Sequence, residues 1–258
     1  RTDQAIDRTF DKVEEGIGKL FQKNEKKESG SSKKENVEED DKPVSKKESK
    51  SKDEEPAVAS NMNLSETFDF KPGANLIFED LMKTEMGGEF PSNWDINKGS
   101  VEVADLGKEK AIYFKKTSSS SREGVVPLVT NRKDDYLPDA FTLEFEFYVA
   151  ADAKQNAPYN VFLFDAKNQK QQADVIKAIE IQPHRVVFDG NQGVCPGADA
   201  SKPKEGWRRV SILFENNTLS LYVDKKHVLQ VPDCTFNPSG LTISAHNYNG
   251  NALSMVKN

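Results

Sequence analysis

Apolar and polar residues alternate along many short runs of this chain after residue 64. In residues 141–149, every second residue from Phe141 to Val149 is apolar, and threonine, glutamate or tyrosine lies between them. A period of two places successive side chains on opposite faces of a β-strand. Turn-forming residues separate these runs. The pattern predicts strands at residues 67–70, 75–79, 101–104, 111–114, 125–129, 141–149, 160–165, 176–182, 185–188, 207–215, 218–223, 227–231, 241–245 and 252–256.

The residues between the last few runs favour antiparallel pairing. Asn216 and Asn217 separate 207–215 from 218–223, and a short polar turn separates that run from 227–231. Turns of this kind join neighbouring antiparallel strands. The three runs are therefore expected to form a meander.

The region 64–258 is long enough to bury one large core. We predict that it is an all-β domain, an antiparallel jelly-roll sandwich. Trp94 and Trp207 each border an alternating apolar strand, so we expect core anchors rather than platforms for sugar stacking. The residues expected to be buried together are Phe145, Phe147, Trp207, Ile212, Phe214, Leu221 and Val223.

A different pattern precedes the sandwich. Apolar residues recur at steps of three and four in residues 1–21, which predicts a short amphipathic helix that needs another surface to pack on. Residues 22–63 contain few large apolar side chains and are rich in lysine, glutamate, aspartate and serine. Such a segment buries too little surface to offset its chain entropy, so we predict a disordered, charged linker.

Charge and hydrophobicity exclude two classes of partner. The chain has 36 basic and 42 acidic residues and a formal net charge of -6, so it lacks the field that would hold nucleic-acid phosphates. No run of about 18 apolar residues occurs, which predicts no membrane-spanning segment. The first residue is arginine rather than methionine, and we expect that an upstream segment has been removed.

The two cysteines, Cys195 and Cys234, leave two interpretations open. They form neither a zinc-ligand set nor a C-x-x-C redox motif. They are either two unpaired thiols or one disulfide that closes a long loop in an oxidising compartment.

The sequence gives weak support to catalysis. Glu144 and Glu146 share one face of a predicted strand, as a pair of glycosidase carboxylates would. No third acidic residue completes an alternating Glu-x-Asp-x-x-Glu run here, so a solvated outer face is the favoured interpretation. The three histidines lie apart without metal-ligand spacing, and no phosphate-binding or dinucleotide motif is present. We predict no cofactor, no metal site and no enzymatic activity.

A sugar-binding site needs aromatic faces and exposed amide or carboxylate groups. Eight residues near predicted turns are candidates for such a site, although ordinary hairpin loops are the favoured interpretation. They are a loop of His246, Asn247, Tyr248 and Asn249, with Tyr159, Asn160, Asp189 and Asn191 as candidate neighbours.

The meander carries the first of two resemblances. A strand that opens with Trp207 leads into a second strand ending in Tyr222, Val223 and Asp224 and then into a third. This arrangement resembles the laminin G and concanavalin A-like lectin and glucanase sandwiches. The resemblance implies the fold rather than a function.

A second resemblance extends over nearly the whole chain. It is carried by the helix of residues 1–21 and by the runs FKPG at 70–73, IFED at 77–80, GEFPSNW at 88–94, YLPD at 136–139 and FTLEF at 141–145. Together they resemble the N-terminal part of OmpA-type, outer-membrane-associated proteins of Gram-negative bacteria. The signal peptide and the OmpA-like domain of that family are not in this sequence.

The second resemblance implies export to the periplasm or the outer membrane. There, an oxidised Cys195–Cys234 pair is expected. The leading hypothesis is a non-catalytic structural, scaffolding or protein-interaction module of the cell envelope, whose protein partner is bound through residues 1–21. The alternative is a carbohydrate-binding module, with a glycan on the sandwich face or loop rim. A glycoside hydrolase is a distant third.

Overall fold

The structure is a computed structural model that describes residues 68–118, 123–129, 136–165 and 176–257. The predicted amphipathic helix of residues 1–21 and the linker of residues 22–63 lie outside the described residues. In the described ranges the only helical element is a 3-10 turn, Ala153–Gln155. No helix in the described part of the chain is long and apolar enough to cross a membrane.

Fourteen β-strands occur in the described residues. They are β1 (Trp94–Lys98), β2 (Ser100–Asp105), β3 (Lys110–Lys116), β4 (Gly124–Pro127), β5 (Phe141–Val149), β6 (Tyr159–Phe164), β7 (Ile176–Ile181), β8 (Arg185–Phe188), β9 (Asn191–Val194), β10 (Gly206–Glu215), β11 (Thr218–Val223), β12 (Lys226–Val231), β13 (Gly240–Ala245) and β14 (Met255–Lys257).

These strands form two sheets of seven strands each. Sheet 1 has the order β1-β4-β13-β6-β7-β8-β9, and sheet 2 has the order β12-β11-β10-β5-β14-β3-β2. Every described pairing is antiparallel. The predicted antiparallel sandwich is therefore confirmed.

The core lies between the two sheets and follows the alternation of the sequence. Phe145 and Phe147 of sheet 2 point into it, as do Val161 and Leu163 of sheet 1. Tyr159 crosses this core: its hydroxyl donates to the carbonyl oxygen of Tyr148 at 2.9 Å and accepts from the amide of Met255 at 2.9 Å. One side chain of sheet 1 thus bonds to two strands of sheet 2.

Trp207 is the exception among the seven residues predicted to be buried together; the other six are in the core. Trp207 packs instead with Tyr148 in a second cluster, and their ring centroids are 5.4 Å apart. The physical reason is that successive side chains of a strand point to opposite faces of the sheet. On β10, Val210 and Ile212 occupy even positions and point inward, so an odd-numbered residue faces outward. Trp94 is partly buried against the main core, as expected.

The predicted meander of β10, β11 and β12 is confirmed. Asn216 and Asn217 have φ angles of 50° and 55°, and Asp224 and Lys225 have φ angles of 48° and 66°. Two consecutive residues in the left-handed region make the tight hairpin turn that matches the twist of paired strands. Asparagine and aspartate tolerate this conformation better than most residues.

Two strands were not predicted, and two predicted strands are absent. The polar compositions of β1 and β9, WDINK and NQGV, carry little strand signal. The described residues 68–70 of the run predicted at 67–70, and all of 75–79, are irregular. The ring of Phe78 instead packs edge-on against Trp94 at 5.0 Å between centroids.

Candidate functional site

The structure divides the predicted sugar-binding residues between the two ends of the sandwich. Ala245 pairs with Tyr159 at the start of β6, so the loop that begins at His246 lies at that end. Asp189 follows β8 at the other end, where the Nζ atom of Lys177 lies 2.6 Å from its carboxylate. Asn191 opens β9 at the same end as Asp189. The eight residues therefore do not form one site.

At the His246 end, two of the candidates have structural roles. Asn247 is 3% exposed, and its side-chain amide donates to the carbonyls of Phe114 at 2.7 Å and Ala252 at 2.8 Å. Its side-chain oxygen accepts from the Ala252 amide at 3.0 Å. The Tyr159 hydroxyl is committed to the two sheets as described above. Neither side chain has a polar atom left for a ligand.

The other candidates at this end differ in exposure. Asn160 is buried on the outer face of sheet 1, and its side chain makes no hydrogen bond within the described ranges. His246 and Asn249 are exposed, and the ring of Tyr248 is 62% exposed. The only charge over that ring in the described chain is Lys116, whose Nζ atom is 6.0 Å from the ring centroid. Neither of the two cavities described below is lined by these exposed residues.

The predicted disulfide is absent, since Cys195 and Cys234 are free, buried thiols. Pro196, next to Cys195, is bonded to Arg208 near the start of β10. The amide of Cys234 donates at 2.7 Å to Asn217, in the turn after β10. At roughly 3.3 Å per residue, the 10 residues of β10 span about 30 Å, and the two cysteines lie near its opposite ends. A bridge needs Cα atoms within about 7 Å, so this prediction is corrected.

Glu144 and Glu146 lie on the outer face of sheet 2, as the sequence favoured, and each is paired with a cation. Arg209 contacts the carboxylate of Glu144, and the Nζ atom of Lys257 lies 3.3 Å from that of Glu146. The described residues also contain no group of three or more His, Cys, Asp or Glu side chains that could hold a metal ion.

A cavity of about 410 Å³ opens at the Asp189 end of the sandwich. We call it the end cavity. Its floor is made by Phe214 and Phe236, and Phe188, directly before Asp189, lies 6.3 Å from Phe236 between ring centroids. The residues that line it are Asp139, Ala140, Phe214, Asn216, Asn217, Thr235, Phe236 and Asn237.

Three separate segments are held together around the end cavity. The Cys234 amide donates to the carbonyl of Asn217, which joins the segment 234–237 to the turn after β10. The amides of Tyr136 and Leu137 both donate to the carbonyl of Ser239, at 3.2 and 3.3 Å. The positive φ angles of Asn216 and Asn217 fix the direction of those two side chains. The backbone thus shapes the cavity.

The floor is an aromatic stack continuous with the core. The rings of Phe141 and Phe214 are stacked at 5.6 Å, and Phe236 lies 6.0 Å from Phe214. Above this apolar floor are three amide side chains, one hydroxyl and one carboxylate, all on exposed residues. Amides supply both donors and acceptors, and a carboxylate supplies acceptors only. The end cavity is therefore polar at its rim and apolar at its base.

Sequence reasoning missed the end cavity because its residues come from three distant parts of the chain. Asn216 and Asn217 were identified as a turn, and Asp139 as part of a family-like motif. The available signal was chemical: an Asn-Asn turn and the run from Thr235 to Asn237 each follow an apolar strand and expose amide or hydroxyl groups.

No protein-family model and no curated protein matches the sequence. Among solved structures, the Emp47p carbohydrate recognition domain matches with 15% identity over 69% of this chain and 90% of that chain, at a TM-score of 0.42. The carbohydrate-binding module CBM66 from Bacillus subtilis matches with 13% identity over 64% and 91%, at a TM-score of 0.38. A Bacillus licheniformis beta-glucanase matches with 11% identity over 67% and 92%, at a TM-score of 0.38. At these TM-scores the likenesses carry no argument about function.

Proposed function

We propose that this β-sandwich is a non-catalytic carbohydrate-binding domain whose ligand occupies the end cavity. The observation that carries the proposal is the composition of that cavity: an aromatic floor below exposed side chains of Asp139, Asn216, Asn217, Thr235 and Asn237. A volume of about 410 Å³ falls within the range of small-ligand sites in proteins.

A sugar ring is the ligand class that fits this chemistry. Each ring carries hydroxyl groups around its edge, which both donate and accept hydrogen bonds, and apolar C–H groups on its faces. The amides of Asn216, Asn217 and Asn237 can satisfy both functions of a hydroxyl. Phe214 and Phe236, which line the cavity, supply the apolar surface for the C–H face. The single carboxylate, Asp139, adds a charge-assisted acceptor.

The same composition favours binding over hydrolysis. Glycoside hydrolysis usually takes two carboxyl groups on either side of the scissile bond. Asp139 is the single carboxylate among the residues that line the end cavity. The pair Glu144 and Glu146 is on the outer face of sheet 2, where each carboxylate is neutralised by a basic residue.

A glycan array followed by calorimetry tests the proposal on the full chain. We expect a bound glycan whose affinity falls at least about tenfold in Asn237→Ala, which removes the side-chain amide, and in Asp139→Asn, which removes the charge and one acceptor oxygen. Both residues are exposed, so both variants should keep the melting temperature of the original chain.

The matched control is Asn249→Ala, which removes an exposed amide at the other end of the sandwich. It should bind with unchanged affinity. Failure to bind any glycan on the array would contradict the proposal. Loss of affinity in Asn249→Ala and Tyr248→Ala, with Asn237→Ala unchanged, would move the site to the His246 loop.

Two finer assignments also belong to this proposal. The meander of β10 to β12 supports placing the sandwich with the concanavalin A-like jelly rolls. The resemblance in residues 70–94 and 136–145 supports export to the bacterial envelope, and fractionation of cells that express the full reading frame tests this. The two free thiols do not add to the case for export, since neither depends on an oxidising compartment.

A further inference from the structure

A second cavity, of about 340 Å³, has a strongly basic lining. It shares no residue with the end cavity, and we call it the lysine cavity. Its lining contains four lysines and one glutamate, together with two apolar residues: Leu81, Met82, Lys83, Lys108, Glu109, Lys110 and Lys257. Like charges gathered around a cavity repel one another, and an anion relieves that repulsion.

Two of the four lysines have their ammonium groups engaged within the protein. The Nζ atom of Lys257 lies 2.5 Å from the Glu109 carboxylate and 3.3 Å from that of Glu146. It also lies 4.6 Å from the ring centroid of Trp207. Lys110 donates to the backbone carbonyl of Glu85. Lys257 is therefore neutralised, and Lys110 keeps its charge although one donor is used.

The other two lysines, Lys83 and Lys108, are exposed and make no ion pair with any described residue. Glu109, the one acid in the lining, is already paired with Lys257. The lining therefore keeps a positive charge on Lys83, Lys108 and Lys110 with no carboxylate to match it. This is the feature that distinguishes the lysine cavity from an ordinary solvated surface, where charges of both signs are interspersed.

The backbone that carries Lys83 and Lys108 is fixed at both positions. Lys83 follows Met82, whose side chain is in the main core and whose amide donates to the Asp80 carboxylate at 2.9 Å. Lys108 is in the hairpin between β2 and β3, which the Leu106 amide closes by donating to the Glu109 carbonyl at 2.9 Å. The two charges are thus anchored from two elements on the rim of one cavity.

We infer that the lysine cavity binds a tetrahedral oxyanion, the phosphate or sulfate group of a small ligand. Lysine ammonium groups bind phosphate as point charges, each with three donors. The volume exceeds that of one oxyanion, and the half-exposed side chain of Leu81 supplies an apolar wall for the part that carries it. An ester of a small polyhydroxylated molecule and the free inorganic ion share this chemistry.

Calorimetry on the full chain at low ionic strength, about 20 mM salt, tests the inference, since screening weakens exposed charge interactions at higher salt. The probes are inorganic phosphate, inorganic sulfate and glucose 6-phosphate, with glucose as the uncharged comparison. We expect saturable binding of at least one charged probe and none of glucose at this cavity. Tighter binding of glucose 6-phosphate than of inorganic phosphate identifies an ester as the ligand, and equal binding identifies the free ion.

The double variant Lys83→Ala/Lys108→Ala should weaken that binding at least tenfold. The control is Lys202→Ala/Lys204→Ala, which removes two exposed lysines and the same net charge from another loop. It should weaken binding less than twofold. Two results would overturn the inference: no saturable binding up to about 20 mM of any charged probe, or an equal loss in both double variants. Glycan binding at the end cavity is measured separately with Asn237→Ala, so either proposal can fail alone.

Discussion

The guanidinium group of Arg208 holds the carboxylate of Asp224 with two nitrogens, Nε at 2.9 Å and Nη2 at 2.8 Å from the same oxygen. The same group donates to the carbonyls of Pro183 at 2.7 Å and Pro196 at 2.9 Å. Asp224 is in the turn between β11 and β12 of sheet 2, and the two prolines flank strands β8 and β9 of sheet 1. One side chain therefore ties the edges of both sheets together.

Replacing Arg208 with methionine should lower the free energy of unfolding by about 2 to 4 kcal/mol, because two carbonyls and a carboxylate lose their donor together. Urea denaturation monitored by tryptophan fluorescence measures the change. The matched control is Arg209→Met, on the next residue of β10. That side chain is 48% exposed and paired with Glu144, so its loss should cost less than about 1 kcal/mol. Equal losses in the two variants would contradict the role assigned to Arg208.

The two thiols should be unreactive in the folded protein. Burial raises the pKa of Cys195 to about 11, and burial also raises the pKa of Cys234. The thiolate is the reactive form, so little of either thiol is reactive at pH 8. We expect no rapid reaction with a thiol reagent in the native state. In denaturant without reductant, both cysteines should be alkylated, as intact mass will show. A chain that accepts no label under those conditions would contain the bridge that the structure lacks.

Stability should fall as the pH rises above 9. Burial raises the pKa of Cys195 to about 11, and burial together with the Asp69 carboxylate raises the pKa of Tyr222 to about 12. For both groups, the folded state therefore holds the proton to a higher pH than the unfolded state does. The stability that these groups contribute is fully present below their pKa values in the unfolded state, about 9 for the thiol. It is lost as the pH rises through their pKa values in the folded state. Cys195 contributes a slope of at most about 1.4 kcal/mol per pH unit in its own window. Urea unfolding between pH 8 and 11 measures this, and Cys195→Ala should show a smaller slope between pH 9 and 11. An unchanged slope would rule out Cys195 as a source.

Gly193 lies where the edge of sheet 1 meets the edge of sheet 2. A Cβ atom at this position would lie 1.9 Å from the carbonyl oxygen of Val228 and 3.1 Å from the Cβ atom of Leu229, both in β12. Backbone cannot yield as a flexible side chain can, so Gly193→Ala should cost at least about 2 kcal/mol. Gly73→Ala is the control, since its new Cβ atom would meet only Thr142 at 3.4 Å. A melting temperature equally affected by both changes would contradict the close approach of the two edges.

Alternation predicted most of the strands because each has one face in the core. The run from Phe141 to Val149 is the clearest case, and its predicted bounds match β5. Parity was the source of the error at Trp207: an aromatic residue at the start of an apolar strand was assigned to the core, although it is one position out of step with Val210 and Ile212. A second, outer cluster was not anticipated.

The sites were harder to predict than the strands. Exposed polar residues after strands were identified at Asp189 and at His246, but the sequence does not say which end of the sandwich each turn occupies. That depends on the strand order, in which β13 pairs with β6 and β14 lies between β5 and β3. Such long-range pairing leaves no local signal, so both cavities could be recognised only in three dimensions.

The position of β14 also sets the order of events during synthesis. Met255–Lys257 is the only described link between β5 and β3, so the pair β2 and β3 is not joined to the rest of sheet 2 until this strand is present. At a translation rate of roughly 5 to 20 residues per second, the hairpin of β2 and β3 waits on the order of ten seconds on the ribosome for its partner. During that time the positions of Ile112 and Tyr113 that pair with β14 have no strand partner on that side. Sheet 2 can therefore be completed only after residue 257 has left the exit tunnel.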